Sequence, residues 1–264
     1  MDRIRKAYVD LPRGQVHCRI REGVEPTLVL LHQTASSSAS FDPLMRELAI
    51  DHRIVAIDTP GFGGSYDPSG MPSLGDYAAQ IVATLDRLGA DRFHLFGHHT
   101  GASLAIEIAA TVPVRVESVM LAGPVFMTDA ERIEFAAGYD QPIAPSRDGA
   151  HLLANWDYAA TYNPDCDVEL LHGEVVAMLR AWRGRPQAYA AVAHHDTAAA
   201  AAKIGAPVLL LTSPDDFFHF GFDRARAIFP RASVATTSGG NFQPAADAPG
   251  TARATEGFLA SRRE

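Results

Sequence analysis

Residues Phe96 to Ala102 read FGHHTGA, and this stretch decides the fold. The apolar run DRFHLF leads into it and the helix-compatible run SLAIEIAA follows it. An apolar run, a tight turn flanked by glycines and then a helix describe a strand ending in a sharp corner. The side chain at the corner, His99, is then carried at the end of a sheet. Gly97 and Gly101 give the corner room for close backbone approach. The chemistry turns on what an imidazole can do there.

The segments on either side repeat the pattern. KAYVDLP and QVHCRIRE, parted by a turn at Arg13-Gly14, alternate with period two and predict an antiparallel pair. TLVLLH (27–32) is a near-continuous apolar run, as expected of a strand buried on both faces. RIVAIDTP (53–60) predicts another, ending in the glycine turn GFGGS. Ser40 is placed to cap a helix over FDPLMRELA, and Leu74 to Leu88 carries apolar residues at helical spacing up to Gly89. RFHLFGH, VESVMLAG, APVLLLTS and the short ASVATT predict further strands. GASLAIEIAATV predicts a helix stopped by Pro113, and a last helix follows Pro249. Strands alternating with helices imply the α/β class, with a mostly parallel central sheet of about eight strands flanked by helices. From 124 to 200 no strand is expected, and the segment is helical, Ala-rich and aromatic. It reads as a helical cap over the sheet's C-terminal edge, with 1–123 and 201–264 forming the core.

Composition narrows the function classes. A length of 264 residues suits one domain, or one core with a large insertion. The net charge of −8, with no basic run, argues against nucleic acid and against an anionic membrane surface as partners. Cys18 and Cys166 make no disulfide framework and no Cys-rich metal pattern. The N-terminal residues lead into no long apolar region, and no apolar run of about 18 residues could span a bilayer, so a cytoplasmic location is expected. Neither H-E-x-x-H nor a Cys/His cluster occurs, and GFGGS lacks the G-x-G-x-x-G pattern. No metal and no cofactor are expected. The expected partner is a small molecule, and a homodimer is compatible with the sequence.

Five motifs, in order, resemble the α/β-hydrolase family over nearly the whole chain. LVLLHQTASSSASFDPL resembles its strand ending in His-Gly, and IVAIDTPGFGGS its D-x-P-G-x-G-x-S turn. FHLFGHHTGASLAIEIA resembles the nucleophile elbow, G-x-S-x-G. PVLLLTSPDD resembles the strand and loop of the catalytic acid, and SGGNFQPAADAPGTA the last loop and helix. Three positions depart: Gln33 replaces a glycine, His99 the nucleophilic serine and Asn241 the catalytic histidine. H-Q-T together with G-H-H-T-G-A resembles a recurrent subgroup of capped members carrying these replacements. The resemblance implies hydrolase chemistry without a cofactor. It also implies Asp216 as the acid, with Asp215 its rival, and an oxyanion hole from the backbone N–H groups of Thr34 and Thr100.

The ordinary mechanism needs an activated hydroxyl, an imidazole and a carboxylate. Here the first two are absent from their usual positions. An imidazole at 99 reaches several ångström further than a serine hydroxyl, into space that the missing histidine ring would fill and that Asn241 leaves open. The expectation is a direct His99–Asp216 dyad with Asn241 as its hydrogen-bonding neighbour. A helix N-terminus disfavours protonation of His99 and a carboxylate favours it, a balance suited to a general base. Such a base would activate water against an ester-like or lactone carbonyl in a small apolar or aromatic substrate. Two other readings compete: proton transfer in lyase, isomerase or decarboxylase chemistry, and a non-catalytic small-molecule binder. Substrate contacts are expected from His32, Gln33, Phe126, Trp156, Tyr158, Trp182, Phe217 and His219.

Overall fold

The computed structural model describes residues 3–139 and 142–261. One sheet contains β1 (Arg5–Leu11), β2 (Gly14–Arg21), β3 (Val24–Leu31), β4 (His52–Ile57), β5 (Phe93–His98), β6 (Val116–Ala122), β7 (Val208–Thr212) and β8 (Ser233–Thr236). Its order is β1-β2-β4-β3-β5-β6-β7-β8. The β1/β2 and β2/β4 pairs are antiparallel, and every pair from β4/β3 to β7/β8 is parallel. Strand β3 shows why its sequence is apolar without interruption. Val29 and Leu31 join the cluster under Leu74, Ile81 and Leu104, whereas Leu28 and Leu30 join the cluster on the opposite face with Phe41, Leu44 and Phe258. Period-two alternation thus delivers apolar side chains to both faces, each fully buried leucine or valine contributing about 1.5–3 kcal/mol.

The helices are α1 (Asp42–Glu47), α2 (Leu74–Arg87), α3 (Thr100–Thr111), α4 (Asp129–Tyr139), α5 (Ala150–Tyr162), α6 (Val168–Arg180), α7 (Gly184–Ala193), α8 (Thr197–Ala201), α9 (Phe222–Ile228), α10 (Gln243–Ala246) and α11 (Ala248–Ala260). Ser73 and Asp76 form a reciprocal capping box that sets the start of α2. Ser40 caps nothing. The chain enters α1 through a 3-10 turn over Ser38–Phe41 capped by Ser37, and Ser40 Oγ donates back to the Ser37 carbonyl. That turn shifts the start of α1 to Asp42, with Pro43 in the first turn, where its missing N–H costs nothing.

Helices α4 to α8 lie between β6 and β7. Ala159, Leu171, Val175, Met178 and Ala188 from α5, α6 and α7 share a buried cluster with Ala35, Phe62 and Phe242. The last three belong to loops that follow β3, β4 and β8, so the helices bury their apolar faces against the C-terminal end of the sheet. Ligands in open α/β sheets bind at that end. Among the described residues no helix is long and apolar enough to cross a membrane.

Candidate active site

The corner between β5 and α3 is a strained turn. His99 has φ 49° and ψ −111°, the only positive φ of a non-glycine residue among the described residues. Such a conformation costs about 1–3 kcal/mol and persists only where its surroundings hold it. Here the His99 N–H donates to the Ala122 carbonyl at 3.0 Å, and the His99 carbonyl accepts from the N–H groups of Ala102 and Ser103 at 2.8 and 3.1 Å. A Cβ at Gly97 would run into the Gly101 carbonyl, and one at Gly101 into the Leu31 carbonyl. The two glycines let α3 start directly against β3 and β5, which aims the imidazole out of the sheet.

His99 Nε2 lies 2.7 Å from Asp216 Oδ2, and both residues are buried. A carboxylate only accepts, so the shared proton sits on Nε2 and Nδ1 keeps its lone pair. Nδ1 has no partner among the described residues, and it is not sealed, because His99 lines the central chamber. Asp216 is held from three sides. Oδ1 accepts from the Phe218 N–H at 2.7 Å, and Oδ2 also accepts from Gln243 Nε2 at 2.8 Å. Gln243 is in turn fixed by Thr237, whose hydroxyl donates to Gln243 Oε1 at 2.7 Å. The neighbouring Asp215 is exposed.

Gln243, not Asn241, is the dyad's hydrogen-bonding neighbour. Asn241 lines the chamber, but its Oδ1 accepts from the Phe217 N–H at 2.8 Å and its Nδ2 donates to the Tyr162 carbonyl at 2.9 Å. It ties the acid loop to α5. The sequence holds a signal for Gln243 only in its place two residues on, at the start of α10, where one short helical turn carries it back toward Asp216.

His98 packs its ring 4.2 Å from that of His99. Burial first, then the neighbouring His99 and His32, hold His98 well below the usual histidine range, so it stays neutral. His98, His99 and Asp216 each bring one ligand atom within 4.8 Å of the others, a grouping invisible to sequence spacing because Asp216 follows 117 residues after His99. Asp216 Oδ2 already accepts two N–H donors, and a cation there would have to displace both.

The chamber above His99 is narrow, with a cavity volume of about 60 Å³. Gln33, Thr34, Thr100, Tyr158 and Phe217 line it, together with the cap aromatics Tyr162 and Tyr189 and with Phe135 and Phe218, which sequence patterning does not single out. The N–H groups of Thr34 and Thr100 have no acceptor among the described residues. Tyr189 donates its hydroxyl to the Thr34 carbonyl at 3.3 Å, and Ser36 donates to Glu174 Oε1 at 3.0 Å. Helices α7 and α6 therefore grip the loop that carries Thr34. Burial pushes Glu174 up to about 7, against hydrogen bonds from Ser36 and Gln33 that lower it.

Five other expected contacts lie elsewhere. His32 is used up by backbone: its Nδ1 donates to the Gln33 carbonyl at 2.7 Å and its Nε2 accepts from the Thr59 N–H at 3.1 Å. Phe126 is buried against Phe229, with ring centroids 6.2 Å apart. Trp156 packs on the buried cluster of α5, α6 and α7, and Trp182 lies under the Arg183 guanidinium at 4.0 Å. His219 bonds Thr212 Oγ1 at 2.8 Å and stacks on Phe222. None of the five lines the chamber.

Asp58 fastens the loops beneath the chamber. It accepts from His17 Nδ1 at 2.8 Å, from the Ser38 N–H at 2.6 Å and from the Gly64 N–H at 2.7 Å. Burial alone would raise it, but the His17 bond, the nearby His32 and these N–H donors bring it to about 2.

Residues 26–142 match the family described as "alpha/beta hydrolase fold". The chain is 33% identical over 108 residues to 2-(acetamidomethylene)succinate hydrolase of Mesorhizobium japonicum, covering 40% of this chain and 39% of that protein. It is 35% identical over 130 residues to 2-hydroxy-6-oxononadienedioate/2-hydroxy-6-oxononatrienedioate hydrolase 2 of Pseudomonas putida, covering 46% and 43%. The matched region thus spans well under half the length of each of these relatives. Among solved structures, bromoperoxidase from Bacillus anthracis superposes with a TM-score of 0.81 at 18% identity, covering 98% of this chain and all of that one. The eight-stranded sheet, the strained corner after β5 and these likenesses together show that the chain has the alpha/beta hydrolase fold.

Proposed function

We propose that the chain is a cofactor-independent hydrolase in which the His99–Asp216 dyad acts as a general base on water. The observation that carries this reading is the 2.7 Å His99 Nε2–Asp216 Oδ2 bond at a corner that offers no hydroxyl nucleophile. Two of its relatives, the succinate-derivative and dienedioate hydrolases, are hydrolases by name, which supports the reaction class. Water in the chamber gives its proton to His99 Nδ1, and the resulting hydroxide attacks an ester-like or lactone carbonyl. The oxyanion forms against the N–H groups of Thr34 and Thr100. Asp216 stabilises the imidazolium, which then returns its proton to the leaving oxygen as the C–O bond breaks. Direct attack by the imidazole ranks below this route, because it needs a covalent intermediate that water activation avoids.

A panel of activated esters and lactones, assayed on wild type and on His99→Ala, tests the proposal. Loss of about 10²–10⁴-fold in kcat/KM is expected for the variant. Turnover unchanged in His99→Ala refutes the role of His99. A serine-directed phosphonate should leave the protein unlabelled, and stoichiometric labelling independent of residue 99 counts equally against it. Exchange of a substrate carbon-bound proton without hydrolysis would favour the lyase or isomerase reading. Ligand binding without any turnover would favour a pure binding protein.

A further inference from the structure

One charged side chain beside the chamber has no counter-ion among the described residues. Arg185, in the first turn of α7, is 8% exposed. Its guanidinium carbon lies 4.3 Å from the Tyr158 ring centroid and 5.7 Å from that of Tyr189, and both rings line the chamber. Its guanidinium makes a single hydrogen bond among the described residues, Nη1 to Asn155 Oδ1, at the long distance of 3.4 Å. No carboxylate of the described residues comes within ion-pair distance of it. Arg21, about as buried, shows the usual solution: it donates to the carbonyls of Met45, Leu48 and Ile50 at 2.6–2.8 Å.

A guanidinium cannot shed its proton, and burying it unpaired is costly. Aromatic faces offset part of that cost and leave its N–H fork free for a planar acceptor. The other guanidinium nitrogens of Arg185 have no hydrogen-bond partner among the described residues and are not completely buried. Neither Asp216 nor Glu174 forms an ion pair with Arg185. Asp216 has its side chain fully enclosed and holds N–H groups from His99, Gln243 and Phe218. Glu174 is engaged by Ser36.

We propose that Arg185 is an anion-docking residue that selects substrates bearing a carboxylate, held by its guanidinium between Tyr158 and Tyr189 while the scissile group faces His99. The proposal rests on the reading of the aromatic chamber as the substrate site. Equilibrium titration with 3-phenylpropanoate and its uncharged isostere 3-phenylpropanamide tests it without turnover, on wild type, Arg185→Gln and Arg185→Lys, each also in a His99→Ala background. Wild type should bind the acid about tenfold to a hundredfold tighter than the amide, as expected of a charge-assisted paired bond. Arg185→Gln should bring the two affinities within about twofold of each other while leaving amide binding intact, and Arg185→Lys should fall between, keeping the charge and losing the fork. The preference persists in His99→Ala even if the base has been misassigned, so the two readings fail separately. Equal affinities in wild type, no saturable acid binding in the millimolar range, or a preference that survives Arg185→Gln overturns the proposal. Should Arg185→Gln not fold, an undiminished preference in Arg185→Lys overturns it and a reduced one supports it.

Discussion

Gly123, the first residue after β6, is where the dyad is most easily broken without touching either member. It sits at φ +54°, its N–H donating to the Leu211 carbonyl at 3.0 Å. A Cβ at this position would lie 2.6 Å from His99 Nε2 and 2.7 Å from Asp216 Oδ2, closer than the 3.0 Å that real Cβ contacts essentially never breach. Gly123→Ala therefore carries two costs. The backbone cost of alanine in the left-handed region is about 1–2 kcal/mol. The steric cost falls on the His99–Asp216 bond, since the methyl group occupies the space beside both bonded atoms and must push them apart. Gly89→Ala separates the two, because Gly89 has φ +67° and a Cβ there would meet nothing within 4 Å. Urea denaturation should show Gly89→Ala destabilised by about 1–2 kcal/mol and Gly123→Ala by more, because the steric cost adds to the backbone one. Only Gly123→Ala should lose kcat/KM on an ester active with wild type, by about 10²–10⁴-fold, the worth of a placed general base. Histidine ¹⁵N chemical shifts give a readout that needs no substrate, with the His99 Nε2 resonance moving in Gly123→Ala alone. A folded Gly123→Ala enzyme with wild-type turnover and an unshifted His99 signal refutes the assignment of the dyad as the catalytic centre.

Two further outcomes follow from the same geometry. Gln243→Leu removes one of the three N–H donors to Asp216 and leaves the Thr237 hydroxyl only the Thr212 carbonyl, at 3.3 Å, as acceptor. It should lower kcat on the order of tenfold with KM little changed, and Gln243→Asn, too short to span the gap, should not restore it; full kcat in Gln243→Leu counts against a positioning role. Glu174 concerns stability. Its carboxyl is held at about 7 by burial, above the ordinary value of 4.5, so the native state binds more protons than the unfolded state between those values. Stability therefore falls as pH rises from about 4.5 to 7, and the penalty above 7 is roughly 3 kcal/mol. Glu174→Gln keeps the acceptor for Ser36 and removes the charge. It should match wild type near pH 4.5 and exceed it by about 2–3 kcal/mol at pH 8 in chemical denaturation. Parallel stability curves for the two proteins would contradict a raised carboxyl.

The alternation of apolar runs with helical runs, and the glycines around His99, are local properties of the chain. They suffice to read the strand series, the α/β class and the corner that presents residue 99, because strand period, turn chemistry and buried apolar runs depend on neighbours a few residues apart. Through the family resemblance, the absence of serine at 99 and histidine at 241 also implies an imidazole that moves toward the acid loop. What the imidazole meets there is decided by tertiary structure. Gln243 rather than Asn241 reaches Asp216, because the 3-10 turn over Gly240–Phe242 points Asn241 at the Phe217 backbone and Tyr162 while α10 swings Gln243 inward. Trp156 and Trp182 stay outside the chamber and Tyr158 and Tyr189 enter it, a choice made by how the helices between β6 and β7 pack together. Arg185 and Glu174 carry no local signal at all. The absence of a carboxylate partner for Arg185 among the described residues, and the burial of Glu174, exist only once segments far apart in the chain have closed around them. Short-range periodicity builds the scaffold, but the charge balance of a buried site is a sum over long-range neighbours.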